Sequence, residues 1–277
     1  MNTTIIGNRK AVKRNCPICG RDSDTAMNNK YSDQMWVMKT CPICALVYLQ
    51  YAPVYEELIE DFAWEVTATS RGVERKKKHP IKSWFSKHTR WRLHLFKRNR
   101  VEDIITRYVS GGNVIDIGCG KGTQLKQLPD QFVPFGIEIS KSEANFAIEY
   151  VSQHGGRIVN ASALEGLREF KQNFASCIVM RAYLEHEANP KDVMDEIYRI
   201  LKPGGVVIIK VPNFACFNRV LLGSYWSGFR FPDHLNYFTP QTLLRICRDA
   251  GLDILSFGIM DRLSLRDNMW LVAGKSE

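Results

Sequence analysis

The segment VIDIGCGKG, residues 114–122, constrains the fold more than any other stretch of the chain. A short apolar, β-branched run reads as a strand buried on both faces, the kind found in parallel sheets. It closes on glycines at every second position, where the missing Cβ lets the backbone turn sharply and pass close to a ligand. Asp116 lies inside the run, where an unpaired carboxylate is costly. A strand, a glycine turn and a following helix make the ligand-binding corner of a doubly wound α/β domain.

The chain from Asn113 onward keeps this rhythm. Strands are expected at 114–117, 135–139, 157–159, 177–180 and 206–211, and two more late, at 254–260 and 270–273. Helical stretches lie between the first five, among them 142–153 and 190–201. Such alternation predicts a mostly parallel sheet with helices on both faces. Only a loop separates the last two strands, so they are expected to pair as an antiparallel hairpin. Upstream, Leu93, Phe96, Val101, Ile104, Ile105 and Tyr108 fall at helical spacing over 92–109, with 110–112 as the C-cap.

The first fifty residues are of a different kind. Eight cysteines fall into two groups. Cys16, Cys19, Cys41 and Cys44 form two matched knuckles, CPICG (16–20) and CPICA (41–45), while Cys119, Cys177, Cys216 and Cys247 are scattered. The scattered four read as small buried apolar residues. Two matched CxxC pairs read as a zinc ribbon, four thiolates on one tetrahedral ion. Four cysteine ligands leave no open position for catalysis, so the zinc is expected to be structural. A short strand is expected between the knuckles at 31–38. The organisation expected is a zinc ribbon at 1–50, a helical basic arm at 51–108 and a ligand-binding domain at 109–277, with 213–240 as an insertion over the acceptor.

The net charge of +9 over 277 residues is concentrated. Residues 71–100 hold twelve Lys/Arg and one acid, Glu74, a balance of +11 that leaves −2 for the remainder. Trp84, Phe85, Trp91 and Phe96 are interleaved with these cations. The pattern suits nucleic-acid phosphate with base stacking, peripheral contact with an anionic membrane, or a phosphate-bearing or acidic polysaccharide acceptor. It equally suits a solvated arm beside the site. No run approaches the roughly 18 apolar residues of a transmembrane helix, and the N-terminus lacks a signal-peptide pattern, so a cytoplasmic location is expected.

Spacing narrows the ligand of the glycine turn. A triphosphate loop ends in Gly-Lys-Ser/Thr, whereas Lys121 is followed by Gly122. A dinucleotide fingerprint puts its third glycine three residues after the second, whereas the glycines here are Gly118, Gly120 and Gly122. Glu138 closes the second strand, eighteen residues past Gly120, where a carboxylate accepts two hydrogen bonds from a ribose diol. An adenosyl compound fits these constraints.

Four pieces, VIDIGCGKG (114–122), GIEIS (136–140), FASCIVMRAYLEHEANP (174–190) and LKPGGVVIIKVPN (201–213), resemble the class I S-adenosylmethionine-dependent methyltransferases over about residues 92–277. The resemblance implies a Rossmann-like, seven-stranded sheet with a reversed last hairpin. It places Asp116, Gly118, Cys119, Gly120 and Gly122 around the methionine half of the cofactor and Glu138 with Ile139 at the ribose. Ser162 and Ala163 stand where the family usually has an Asp at the adenine, and Arg181 and Ala182 lie under the cofactor. CPICALVYL (41–49) with Pro53, and FPDHLNYFTP (231–240), are similar to zinc-ribbon methyltransferases of bacteria that act largely on sugars, nucleotide-sugars or surface polysaccharide. Ala45 departs from the usual glycine after the second knuckle.

Methyl transfer to a hydroxyl needs alignment and, for the proton, a base. His186, His234 and Tyr237 are the candidates, since imidazole titrates near neutral pH. No (D/N)PP(Y/F) tetrapeptide follows the fourth strand, which tilts the acceptor toward oxygen or carbon. The aromatic stretch 214–231 is expected to cover it. The competing readings are an RNA methyltransferase, with ribbon and basic arm on RNA, and a non-catalytic S-adenosylmethionine-binding module.

Overall fold

A computed structural model describes residues 3–7, 9–54, 100–263 and 265–277. The basic run at 71–100, Arg100 apart, and the first half of the helix expected at 92–109 lie outside the described residues.

Six short strands come first: β1 (Thr3–Ile6), β2 (Arg9–Lys13), β3 (Met27–Asn28), β4 (Met38–Thr40), β5 (Val47–Leu49) and β6 (Tyr51–Pro53). Next come α1 (Val101–Tyr108), β7 (Gly112–Ile117), β8 (Phe132–Ile137), α2 (Lys141–Gln153), β9 (Arg157–Val159), α3 (Ala163–Arg168) and β10 (Ala175–Arg181). The chain continues through α4 (Pro190–Ile200), β11 (Leu201–Pro212), α5 (Phe217–Leu222), β12 (Asn236–Tyr237), α6 (Pro240–Asp249), β13 (Asp253–Ser256), α7 (Ile259–Arg262) and β14 (Asn268–Gly274).

The main sheet has seven strands in the order β13-β14-β11-β10-β7-β8-β9. β9, β8, β7, β10 and β11 run parallel, and β14 is antiparallel to both β11 and β13. The reversed hairpin expected from the sequence is therefore present. Strand order reverses between β7 and β10, and that switch point is where open α/β sheets bind ligands. Six of the seven residues of β10 are buried, as a strand covered on both faces requires. α4 starts on Pro190, preset for a first helical turn, and buries Val193, Met194, Ile197 and Ile200 as one stripe.

Three local expectations need correction. The strand expected at 31–38 begins only at Met38, because the Asp33 carboxylate accepts the backbone N–H groups of Met35 and Trp36 and holds a turn there. The strand expected at 254–260 stops at Ser256, and Ile259–Arg262 forms a helical turn after Gly258. The glycine pair after α1 is not its cap: Val109 caps the helix, and Gly112, at φ +103°, opens β7.

The N-terminal strands form two small sheets, β1-β2-β6 and β12-β5-β4-β3. The second takes in β12 from the far end of the chain, with Asn236 opposite Tyr48 and Tyr237 opposite Val47. An apolar cluster fills this junction. Trp36, Met38, Val47 and Leu49 pack with Phe214, Trp226, Phe229 and Tyr237. Phe214, Trp226 and Phe229 thus pack between the two parts. Arg14 completes the joint. It is buried, and its guanidinium donates to the carbonyls of Leu49, Leu235 and Ala188 and to Asn236 Oδ1.

Candidate functional site

The glycine turn sits at the C-terminal end of β7. Gly118, Gly120 and Gly122 have φ of +72°, +51° and +72°, the left-handed region that a side chain makes costly. A Cβ on Gly118 would stand 3.1 Å from the Tyr183 ring, and one on Gly122 would stand 2.9 Å from Ala147 Cβ on α2. The alternate glycines therefore serve two ends: they curl the backbone and bring it close to its neighbours.

Glu138 follows β8 directly. Its carboxylate accepts the backbone N–H of Gly120 at 2.8 Å and of Ser140 at 2.8 Å, so it latches the turn to the neighbouring strand end. A carboxylate has about four acceptor positions, so two remain for a diol. Asn160 steadies the same tip by donating to the carbonyls of Glu138 and Ile139. A cleft opens here, lined by Ile117, Gly118, Ile137, Glu138, Ile139, Ala161, Ala163 and Tyr183. Its walls are apolar with one carboxylate at the rim, the surroundings an adenosyl group wants.

The other expected cofactor residues take distinct places. Asp116 is buried, and that burial pushes its carboxyl up to about 7 against the pull of Arg181. Cys119 contributes backbone to the turn, but its thiol points inward against Gly136. Ser162 caps α3, accepting from Glu165 N and donating to the Glu165 carboxylate at 2.6 Å; Ala163 beside it lines the cleft. Arg181 donates to Gln124, and Ala182 sits at φ +57°, a strained position at the end of β10. Tyr183 was missed by sequence reasoning. Its ring lies against Gly118, and its hydroxyl donates to Glu187. Its signal was its position in RAYLEHE, just beyond a central strand.

Of the three proton-handling candidates, two come together. His186, just beyond β10, and His234, just before β12, meet edge to face with ring centroids 4.6 Å apart. Burial holds the imidazole of His186 down to about 4 and that of His234 well below its usual range, so both rings are neutral at physiological pH. Tyr237 faces elsewhere, into the aromatic cluster with Phe214 and Phe229, its ring 6.5 Å from that of His234. The backbone N–H groups of Leu235 and Asn236 donate to the Glu185 carbonyl, tying the late segment to the end of β10.

The four cysteines also converge. Their sulfurs lie within 4.8 Å of one another, with Cys16 to Cys44 at 3.3 Å and Cys19 to Cys41 at 3.5 Å. A tetrahedron of 2.3 Å metal–sulfur bonds has edges of about 3.8 Å, so one ion fits with slight expansion. The knuckles are conformational twins. Gly20 N donates to Cys16 O and Ala45 N to Cys41 O, and Ala45 adopts φ +59° beside the +72° of Gly20. The substitution of alanine for glycine leaves the turn unchanged.

A parallel sheet with a glycine turn and an acidic strand tip at its switch point defines an adenosyl-dependent transferase. Residues 90–256 match the family model of the methyltransferase domain, and the chain belongs to that family; it is an S-adenosylmethionine-dependent methyltransferase. It is 24% identical over 196 residues to the ubiquinone biosynthesis O-methyltransferase of Leptothrix cholodnii, covering 66% of this chain and 82% of that protein. To the protein of the same name from Azoarcus sp. it is 25% identical over 163 residues, covering 55% and 69%. Among solved structures, a chain of the complex between the Haloferax volcanii Trm112 methyltransferase activator and its methyltransferase superposes with a TM-score of 0.52 at 17% identity, covering 64% of this chain and 89% of that one. That likeness concerns the fold.

Proposed function

We propose that the protein transfers a methyl group to the oxygen of a small, hydroxyl-bearing acceptor. When bound, S-adenosylmethionine would supply a methyl group whose carbon–sulfur bond breaks as the acceptor oxygen bonds to it, the neutral thioether being the leaving group. Gly118 to Gly122 and Asp116 would hold its methionine half, Glu138 would take the ribose diol, and Ala163 would pack beside the base. The chain's chief tasks are to align the two reactants and to keep water away.

The observation that carries the oxygen reading is the buried group of Glu185, His186 and His234 beyond β10, on the ligand side of the sheet. A hydroxyl nucleophile must lose its proton, and a neutral imidazole presents a lone pair to receive it, a weaker base here because burial disfavours the charged ring. The names of the curated relatives support the same chemistry. Within this class a sugar, nucleotide-sugar or polysaccharide hydroxyl is suggested by the zinc-ribbon resemblance, and an acceptor of ubiquinone biosynthesis by the relatives' names. Cys16, Cys19, Cys41 and Cys44 would hold a structural zinc ion that fixes the ribbon against the acceptor segment.

The test is transfer of labelled methyl from S-adenosylmethionine to a panel of phenols, nucleotide-sugars, glycans and RNA. Labelling of a hydroxyl compound is expected, while labelling confined to RNA or to amines would sink the reading. The His234→Ala variant is expected to keep cofactor affinity and lose turnover by about two to four orders of magnitude. Full activity would remove His234 from the proton path.

Asp116 gives a pH dependence. The cofactor is cationic, so binding beside Asp116 favours the carboxylate. Before the cofactor binds, burial holds that carboxyl up to about 7, and below that pH a proton must leave on binding. Affinity is therefore expected to rise with pH through about 7 and to level off above it. Calorimetric titration between pH 6 and 8 checks this; a flat profile would free Asp116 from the cofactor.

A further inference from the structure

Glu185, His186 and His234 share more than a place near the acceptor. Each offers one ligand atom, and the three atoms lie within 4.8 Å of one another. The histidine rings are fixed by the backbone. The Nδ1 of His186 bonds the carbonyl of Asp233 at 2.8 Å, and the Nδ1 of His234 bonds the carbonyl of Gly228 at 2.8 Å. A carbonyl oxygen only accepts, so both Nδ1 atoms carry the hydrogen, and in a neutral ring the lone pair is then on Nε2. This is the tautomer that metal-binding histidines adopt, one nitrogen toward the ion and the other nitrogen's hydrogen on a carbonyl.

Glu185 supplies the third piece. It is 1% exposed, and its Oε2 has no hydrogen-bond partner among the described residues. A buried carboxyl oxygen left in that state costs about 1–3 kcal/mol or more. Neither neighbouring imidazole relieves it, because both have given their hydrogens to the backbone. Three potential ligand atoms thus meet in one small volume, the geometry that a cation site requires.

We propose that Glu185, His186 and His234 form a second metal site that takes a divalent cation of the zinc, cobalt or iron(II) class. Two imidazoles and one carboxylate suit such ions, and three protein ligands leave a position for a further oxygen. The ion would join the turn after β10 to the segment before β12, which meet here from positions 48 residues apart (234 − 186). The inference rests on the same residues as the proton-handling role proposed above and deepens it. A hydroxyl bound at the open position would lose its proton more readily, with the histidines acting through the ion rather than as bases themselves.

The experiment uses the full-length protein loaded with Co²⁺ and read by elemental analysis and absorption spectroscopy. The four-cysteine site gives intense sulfur-to-cobalt charge-transfer bands, which a nitrogen–oxygen site lacks. The wild type is expected to carry two ions per chain. Glu185→Gln and His234→Ala are each expected to carry one, with the sulfur bands unchanged. If His234→Ala does not fold, the near-isosteric Glu185→Gln carries the comparison. One ion in the wild type, or two in both variants, would overturn the second site. A wild type with one ion that still methylates a hydroxyl acceptor removes the metal site and leaves the O-methyltransferase reading standing. Two ions without methyl transfer to any hydroxyl does the reverse.

Discussion

Arg14→Ala is expected to destabilise the protein by about 3–5 kcal/mol, because the buried guanidinium donates to four acceptors from three parts of the chain. For a chain of this size that corresponds to a fall in melting temperature of about 10 °C. Burial lowers the guanidinium to about 10, and Glu187 pulls the other way, so the charge survives at neutral pH. Arg14→Lys keeps that charge but loses the planar fork, and an intermediate loss is expected. Thermal unfolding of the three proteins checks the order. Equal melting temperatures for wild type and Arg14→Ala would mean that the joint is held by the apolar cluster alone.

Glu138→Ala is expected to weaken S-adenosylmethionine binding by about 100-fold. Two losses combine in it. On the role proposed above, the ribose would lose its acceptor, and Gly120 and Ser140 lose theirs, so the glycine turn is unlatched from β8. A hydrogen bond to a charged group is worth about 1.5–3 kcal/mol, and about 2.7 kcal/mol is a factor of 100. Glu138→Gln retains one acceptor oxygen and is expected to fall between the two. Equilibrium titration measures it; wild-type affinity in Glu138→Ala would refute both roles.

The legible parts of this molecule were those written in local chemistry. The strand with its glycine turn, the carboxylate at the end of β8 and the paired knuckles each depend on residues close together in sequence, whereas the helix expected after the turn is reduced to a 3-10 turn at Leu125–Gln127. The less legible parts depend on partners far away. Arg14 reads as one more surface cation until carbonyls from residues 49, 188 and 235 gather round it. The aromatic stretch at 214–231 reads as a pocket wall because its rings suit a ligand, yet the N-terminal sheet supplies their neighbours. His186 and His234 were singled out separately, and nothing in sequence announces that their rings touch. Local chemistry also misled where a side chain competes with the ladder, as Asp33 does in turning an apolar stretch away from a strand.

The pairing of β12 with β5 bears on how the chain acquires its shape. Tyr48 leaves the ribosome 188 residues before Asn236 (236 − 48), so the N-terminal sheet waits for its last strand through nearly the whole of synthesis. Closing so long a loop is slow, and the apolar faces of Trp36, Met38 and Leu49 stand uncovered meanwhile. The knuckles, by contrast, close within thirty residues and are complete almost at once. The four-cysteine cluster and the covering strand β12 thus tie the N-terminal strands to the segment beyond β11 rather than leaving them as an appendage.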